Sequence, residues 1–443
     1  MSRCRWGWLE AFVITLFLLN GLLLLPGAQA LRFVIRAAPY AASLLALIWS
    51  LHRNRAALRM PGAAWLVLVL GLLVANLLHP ATQPFSGVAQ CLQQLAIAAP
   101  VFWCPPLIDG ERRLERLLRL VYFANAIGAF VGLLQIYDPQ HFLPAQFSTN
   151  ASETWIGSLM FVGPGGHLMV RPPGLSDLPG GAAIAAFLTA IFAIAFGARK
   201  GTRVWLRLVH AVAAAVGISV LYLTQVRSLA IMTAVCLALL FLLSLKRQIT
   251  WNRTWLAAST LCLMLGAFTY AVAVGGQTVR ERFIRLAGTG LLETLDSSRG
   301  WHWRWTFDEG LKQYPFGAGL GRWGMVSTYF ADRTLPDAEP LWAEIQLTGW
   351  LYDGGVPLWL LYGSALIASM LFLLRTACVS PSPSLTFAAA LVFCVNFGII
   401  GQVFSGPCFN TPLGLKYWLF AAIVWGAYRN VSRQRRSRAT VQP

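Results

Sequence analysis

Arginine, tryptophan and histidine crowd into one short run, Asp296-Ser-Ser-Arg-Gly-Trp-His-Trp-Arg-Trp305, in a chain that is otherwise strongly apolar. A guanidinium presents paired N–H donors that match phosphate oxygens, so Arg299 and Arg304, joined by arginines from elsewhere, could neutralise a pyrophosphate without a metal ion. Two further arginines have suitable settings. Arg171 lies in Met169-Val-Arg-Pro-Pro-Gly174, where two prolines stiffen the backbone, and Arg227 lies in Leu223-Thr-Gln-Val-Arg-Ser228, a break between two apolar runs. Arg227 has two readings, a side chain snorkelling to water and a ligand for an anion at the membrane surface.

Trp301, Trp303 and Trp305 suit an interfacial aromatic belt, stacking on sugar rings, or packing against a prenyl chain. Glu344 precedes a long apolar run. It reads either as a carboxylate favoured at a helix start or as a general base for a sugar hydroxyl. His302, inside the Arg/Trp run, is the second candidate for proton transfer. Asp353 falls within the apolar run itself, where an acid is a pairing or functional candidate, here for acceptor or glycan contact. His79, His141 and His167 have no Ser or Asp partner at readable spacing and are read as structural. With no D-x-D or H-E-x-x-H and no spaced acidic cluster, neither metal nor cofactor is expected.

The elements that position these residues must be membrane helices. Hydrophobic residues make up 57% of the 443-residue chain and charged ones 12%, against about 25% in soluble domains. Apolar runs of spanning length begin near Trp8, Leu31, Pro61, Val88, Leu117, Gly181, Leu206, Leu229, Trp255, Leu351, Leu385 and Pro412. The expectation is an all-α polytopic protein with about twelve transmembrane helices. Alanines and a glutamine at 28–30 resemble a leader-cleavage site, but the apolar stretch is long for a leader and is read as a retained span.

The formal charge of +18 is mostly topology. Arginines and lysines collect in alternate loops, around residues 3–5, 53–59, 112–119, 199–207, 246–253 and 429–438, which the positive-inside rule makes cytoplasmic, with both termini inside. No nucleic-acid partner is implied. The eight cysteines are scattered, form no C-x-x-C, and read as small buried hydrophobes.

The organisation expected is nine helices over residues 1–275, with a smaller outer loop at about 138–179, then a large outer loop at 276–343. Three helices over 344–428 and a basic tail at 429–443 complete it. Within the large loop, residues 278–286 suit a short basic amphipathic helix. Ser297 or Ser298 can cap a helix ending at Pro315, and Pro315-Phe-Gly-Ala-Gly-Leu-Gly321 reads as turns. A last helix from about Ala338 would enter the tenth span. No internal repeat of the transporter kind is visible.

Four segments, in order, resemble the O-antigen ligase and O-antigen polymerase superfamily of bacterial envelope enzymes. They are Arg171-Pro-Pro-Gly174; Gln225-Val-Arg-Ser228; Ser298-Arg299 with Trp303 or Trp305 and Pro315-Phe-Gly-Ala-Gly319; and Glu344-Ile-Gln-Leu-Thr-Gly-Trp-Leu-Tyr-Asp-Gly-Gly355. Where ligases carry His-Asn in the last segment, this chain has Glu344-Ile345, which favours the polymerase branch. The resemblance implies a GT-C-like fold and a periplasmic active site on the bacterial inner membrane. It also implies metal-independent, inverting glycosyl transfer from an undecaprenyl-pyrophosphate-linked oligosaccharide, as in exopolysaccharide or O-antigen synthesis. On it, Arg171, Arg227, Arg299 and Arg304 hold the pyrophosphate, Glu344 activates the acceptor, and a flippase and chain-length or export proteins are expected as partners. The alternatives are a ligase passing the glycan to lipid A core or protein, and, in another class, a flippase for the lipid-linked unit.

Overall fold

A backbone crossing hydrocarbon has no water to bind, so each apolar run must close its own hydrogen bonds as a helix. In the computed structural model eight helices among the described residues are long and apolar enough to cross a membrane. They are Arg32–His52, Pro84–Leu107, Glu111–Tyr137, Val204–Leu223, Arg227–Ser244, Arg253–Gln277, Gln346–Val379 and Pro383–Phe404. Trp8–Leu24, Ala63–Asn76 and Ala182–Ala198 are shorter apolar helices. Pro412–Ala439, read from sequence as the last span, is a 28-residue helix but is outside the eight, its apolar run being interrupted by Lys416, Tyr417 and Trp418. The structure describes residues 7–25, 27–53, 59–143, 160–162, 168–176, 180–245, 252–288, 293, 299–332, 340–380 and 382–439. Ser297, Ser298, His167, Ala338 and the end of the basic tail lie outside them, as does most of the loop at 138–179, of which an antiparallel ladder of Met160–Val162 with Leu168–Val170 is described.

The chain divides into two units, neither continuous in sequence. The first comprises Met1–Pro39, Glu115–Leu291 and Ala377–Gly398. Its centre is the Ala182–Ala198 helix, in which 15 of 17 residues are buried. Small side chains let neighbouring helices approach closely: a Cβ on Gly217 would sit 2.9 Å from the Ala186 carbonyl oxygen, and one on Gly132 would sit 2.8 Å from the Ala182 Cβ. The segment expected as a separate short helix at 278–286 continues the helix Arg253–Gly288 beyond a break at Gly276 (φ 67°, ψ −158°).

The second unit comprises Tyr40–Leu114, Leu292–Thr376 and Ile399–Pro443. Its Gln346–Val379 helix is broken at Gly355 (φ 64°, ψ −152°), two residues before Pro357. Three backbone groups at that break have partners from elsewhere in the same unit. The Val356 N–H donates to the Pro315 carbonyl at 2.9 Å, and the Ala318 N–H donates to the Tyr352 carbonyl at 2.7 Å. The Asp353 carbonyl would face the nitrogen of Pro357, which has no hydrogen, and instead accepts from Asn76 Nδ2 at 2.7 Å. Pro315 and Ala318 of the loop therefore satisfy two backbone groups of a membrane helix. A Cβ on Gly355 would lie 2.1 Å from the Pro315 oxygen, so only glycine permits this approach.

Candidate functional site

The Arg/Trp run folds as one continuous stretch: an α-helix at Trp301–Arg304, a wider π turn at Trp305–Gly310, and a last α turn at Leu311–Gln313 that stops before Pro315. The expectation of a helix ending at Pro315 holds. The stretch lies along the start of the Gln346–Val379 helix because small and hydroxyl residues face each other there. Thr306 donates its hydroxyl to the His302 carbonyl at 2.6 Å, so its 2.7 Å bond with Thr348 is donated by Thr348. A Cβ on Gly310 would come within 2.8 Å of Leu351.

This packing brings Arg299 to Glu344. Nη1 donates to Oε2 at 2.5 Å, with the side chains 34% and 27% exposed, so the pair is open to solvent and to a ligand. Glu344 does not continue a helix from residue 338. Residues 340–343 are not helical, the Leu341 N–H donates to the Arg322 carbonyl at 2.7 Å, and the helix begins at Gln346. Burial pushes the His302 imidazole below the ordinary histidine range; Glu344 pulls it up and Arg299 pulls it down. His302 is thus electrostatically part of the same group and neutral at pH 7, when it can accept a proton.

The three tryptophans have separate settings. Trp301 is 68% exposed, its ring edge-on to His302 at 5.1 Å. Trp303 stacks on Phe307 and Phe404, with centroids at 5.6 and 5.2 Å, and Trp305 packs edge-on against Tyr352 at 5.7 Å. Trp301 is open to a sugar or a prenyl chain, whereas Trp303 and Trp305 are engaged with the unit's own rings. Arg304 is exposed on the same helical turn as Trp301.

Asp353 is 1% exposed and lies inside the unit. Its Oδ1 accepts from Gln90 Nε2 at 2.6 Å and from Trp323 Nε1 at 2.7 Å, while Oδ2 is buried without a hydrogen-bond partner. Such burial leaves no face for glycan contact, the role read from sequence. Sequence reasoning missed Gln90, Trp323 and Asn76. A polar amide inside the apolar run after Val88 was the available signal for Gln90, since intramembrane polar groups are there for a partner.

Arg171 and Arg227 belong to the first unit, where adjoining turns carry them. Gln135 clamps the Arg171 turn by its amide: the Gly174 N–H donates to Gln135 Oε1 at 2.7 Å, and Gln135 Nε2 donates to the Gly174 carbonyl at 2.9 Å. The Gly180 N–H donates to the Arg171 carbonyl at 3.4 Å, and a Cβ on Gly180 would meet Val226, next to Arg227, at 3.3 Å. Burial lowers the affinity of Arg171 for its proton, and its Nε is buried without a partner. Arg227 opens the helix Arg227–Ser244 after Gln225, whose φ is +57°. A cation at a helix N-terminus opposes the dipole, a placement that an anion would relieve.

Among the described residues, no three of His, Cys, Asp and Glu gather closely enough to hold a metal ion. The chain matches no protein-family model and no curated protein.

Proposed function

We propose that this protein is a polysaccharide polymerase joining undecaprenyl-pyrophosphate-linked oligosaccharide repeat units, of an exopolysaccharide or an O-antigen, at the periplasmic face of the bacterial inner membrane. On this reading the eight long helices, the three shorter ones and the 412–439 helix make up twelve spans of a GT-C-like fold, with both termini cytoplasmic and the 276–343 segment periplasmic.

The observation that carries it is the Arg299–Glu344 pair, partly exposed beside the neutral imidazole of His302 and the open ring of Trp301, at the junction of the polar loop with an apolar helix. In the reaction, a hydroxyl oxygen of the acceptor repeat attacks the anomeric carbon of the donor. The bond from that carbon to the pyrophosphate oxygen breaks, and the configuration inverts. Glu344 takes the hydroxyl proton, with His302 as the alternative acceptor, and Arg299 and Arg304 stabilise the charge developing on the leaving polyprenyl pyrophosphate. The family resemblance gives the same anion-holding role to Arg171 and Arg227. No metal or cofactor takes part.

One observation weighs against a flippase. Transporters offer the backbone groups of broken helices to their cargo. At the Gly355 break the Val356 N–H and the Tyr352 and Asp353 carbonyls are already taken, by Pro315, Ala318 and Asn76. A ligase, the other enzyme reading, has no comparable support, since Glu344 stands where ligases carry His.

The test is a deletion strain analysed for its lipid-linked oligosaccharides. Accumulation of single repeat units with loss of polymer is expected. Full-length lipid-linked polymer that fails to reach an acceptor would make the protein a ligase, and retention of single repeats on the cytoplasmic leaflet would make it a flippase.

A further inference from the structure

The geometry points to Asp353, Trp323 and Gln90 as a buried latch that positions Glu344 against Arg299. Resting on the reading above, it adds positioning residues to that reaction.

Trp323 stands in a span of turns in which Gly317, Gly319, Gly321 and Gly324 all have positive φ. Left to itself such a segment has many conformations, so something must select one. The indole is held at both ends along a single helical turn. Its ring lies over Gly349, where a Cβ would come within 2.1 Å, and its Nε1–H donates to Asp353, four residues on and therefore on the same helix face. Gln90 ties the same carboxylate oxygen to the turn, because its Oε1 accepts the Gly321 N–H at 2.7 Å while its Nε2 donates to Asp353.

The latched segment then touches both halves of the candidate site. The Arg322 carbonyl, one residue before Trp323, accepts the Leu341 N–H, and Leu341 and Ala343 pack against the buried cluster of Ala318, Trp323 and Tyr352. Glu344 follows directly, and the next two residues, Ile345 and Gln346, are 0% exposed. From the other side Trp305 packs against the same cluster and continues the helical stretch that begins at Arg299. The latch thus sets the approach of the loop carboxylate to the loop arginine, although Asp353 meets neither. An error of about 1 Å in placing a reacting group is enough to cost about 10²-fold in rate, so a distant bond can matter this much.

Trp323→Phe tests the idea, because it removes both holds on the ring: the N–H to Asp353 and the outer indole carbons over Gly349. Purified full-length protein is assayed for kcat and for the KM of lipid-linked repeat units. In parallel, disulfide formation is followed by mass spectrometry in a Thr306→Cys/Thr348→Cys background, whose wild-type hydroxyls stand 2.7 Å apart. The expected result is a fall in kcat of about tenfold or more with KM little changed, and slower cross-linking. Asp353→Asn, which retains an oxygen acceptor for Trp323, should stay closer to wild type than Asp353→Leu. The loss in Trp323→Phe/Asp353→Leu should be less than the sum of the two single losses, since both variants break the Trp323–Asp353 bond. Wild-type kcat together with wild-type cross-linking in Trp323→Phe overturns the latch. If Glu344→Gln turns over normally, the base assignment fails, and cross-linking alone decides whether the latch holds the two segments in register.

Discussion

Arg299 and Glu344, 45 residues apart in sequence, neutralise each other across a 2.5 Å hydrogen bond. The proposed base therefore waits beside the proposed anion holder. Replacing Glu344 with Gln keeps a hydrogen-bond acceptor for Arg299 but removes the proton acceptor. Turnover of lipid-linked repeat units in membranes should fall by about 10²–10⁴-fold with donor binding retained. The charge-swapped Arg299→Glu/Glu344→Arg variant should rebuild the ion pair and remain inactive. Normal turnover in Glu344→Gln would transfer the role to His302.

Arg171 and Arg227 stand on turns held together through Gly180, and their proposed work depends on the guanidinium fork. Arg171→Lys and Arg227→Lys should leave membrane abundance unchanged while restoring little of the polymer lost in the Ala variants, since a point charge lacks the paired donors. Polymer gels of the complemented deletion strain read this directly. Full polymer in Arg227→Ala would mean that its side chain only snorkels.

His302 should stay neutral at pH values below its ordinary midpoint of 6.5. Carbethoxylation, which labels the neutral ring, should show a midpoint below 6.5 when followed by mass spectrometry from pH 5 to 8. Arg299→Ala should raise that midpoint and Glu344→Gln should lower it, because the cation repels the proton and the carboxylate attracts it. The sign for stability is the same. The folded chain binds the His302 proton less readily than the unfolded one, so this contribution is present above the ordinary value and is lost as pH falls through the lowered one.

Gly355→Ala places a methyl against the Pro315 carbonyl and forces a left-handed backbone on a residue with a Cβ. Destabilisation of about 1–3 kcal/mol is expected, read as a lower melting temperature in detergent. Gly363→Ala, in the same helix with open space around it, is the control and should be neutral or slightly stabilising.

Cysteine labelling from either side of the membrane should place residues 276–343 outside and the tail after Tyr428 inside. Labelling of both from one side would overturn the topology drawn from the arginine-rich loops.

The helical, membrane-spanning character was legible in the sequence because hydropathy acts locally, residue by residue. The turns at 315–321 were equally plain, and three of their glycines do take positive φ. What could not be read were partners. Asp353 was conspicuous as an acid in an apolar run, but Gln90 is 263 residues away and only the folded chain joins them. The helix expected from Ala338 failed for a similar reason: the Leu341 N–H is taken by Arg322, so the backbone there serves the loop before it can serve a helix. The tryptophans looked alike in sequence, and only packing separated Trp305, against Tyr352, from the open Trp301.

The carbonyl of Pro315 and the N–H of Ala318 also constrain biogenesis. When the 346–379 segment leaves the insertion machinery, Val356 and Tyr352 carry bare backbone groups that hydrocarbon cannot satisfy, and the residues that cover them are some forty positions earlier. The preceding loop must already be in place and ready to dock, so loop folding and membrane insertion are one event here. For anyone exchanging this loop with that of another chain, the segment from Pro315 to Trp323 has to travel with the helix it hydrogen-bonds.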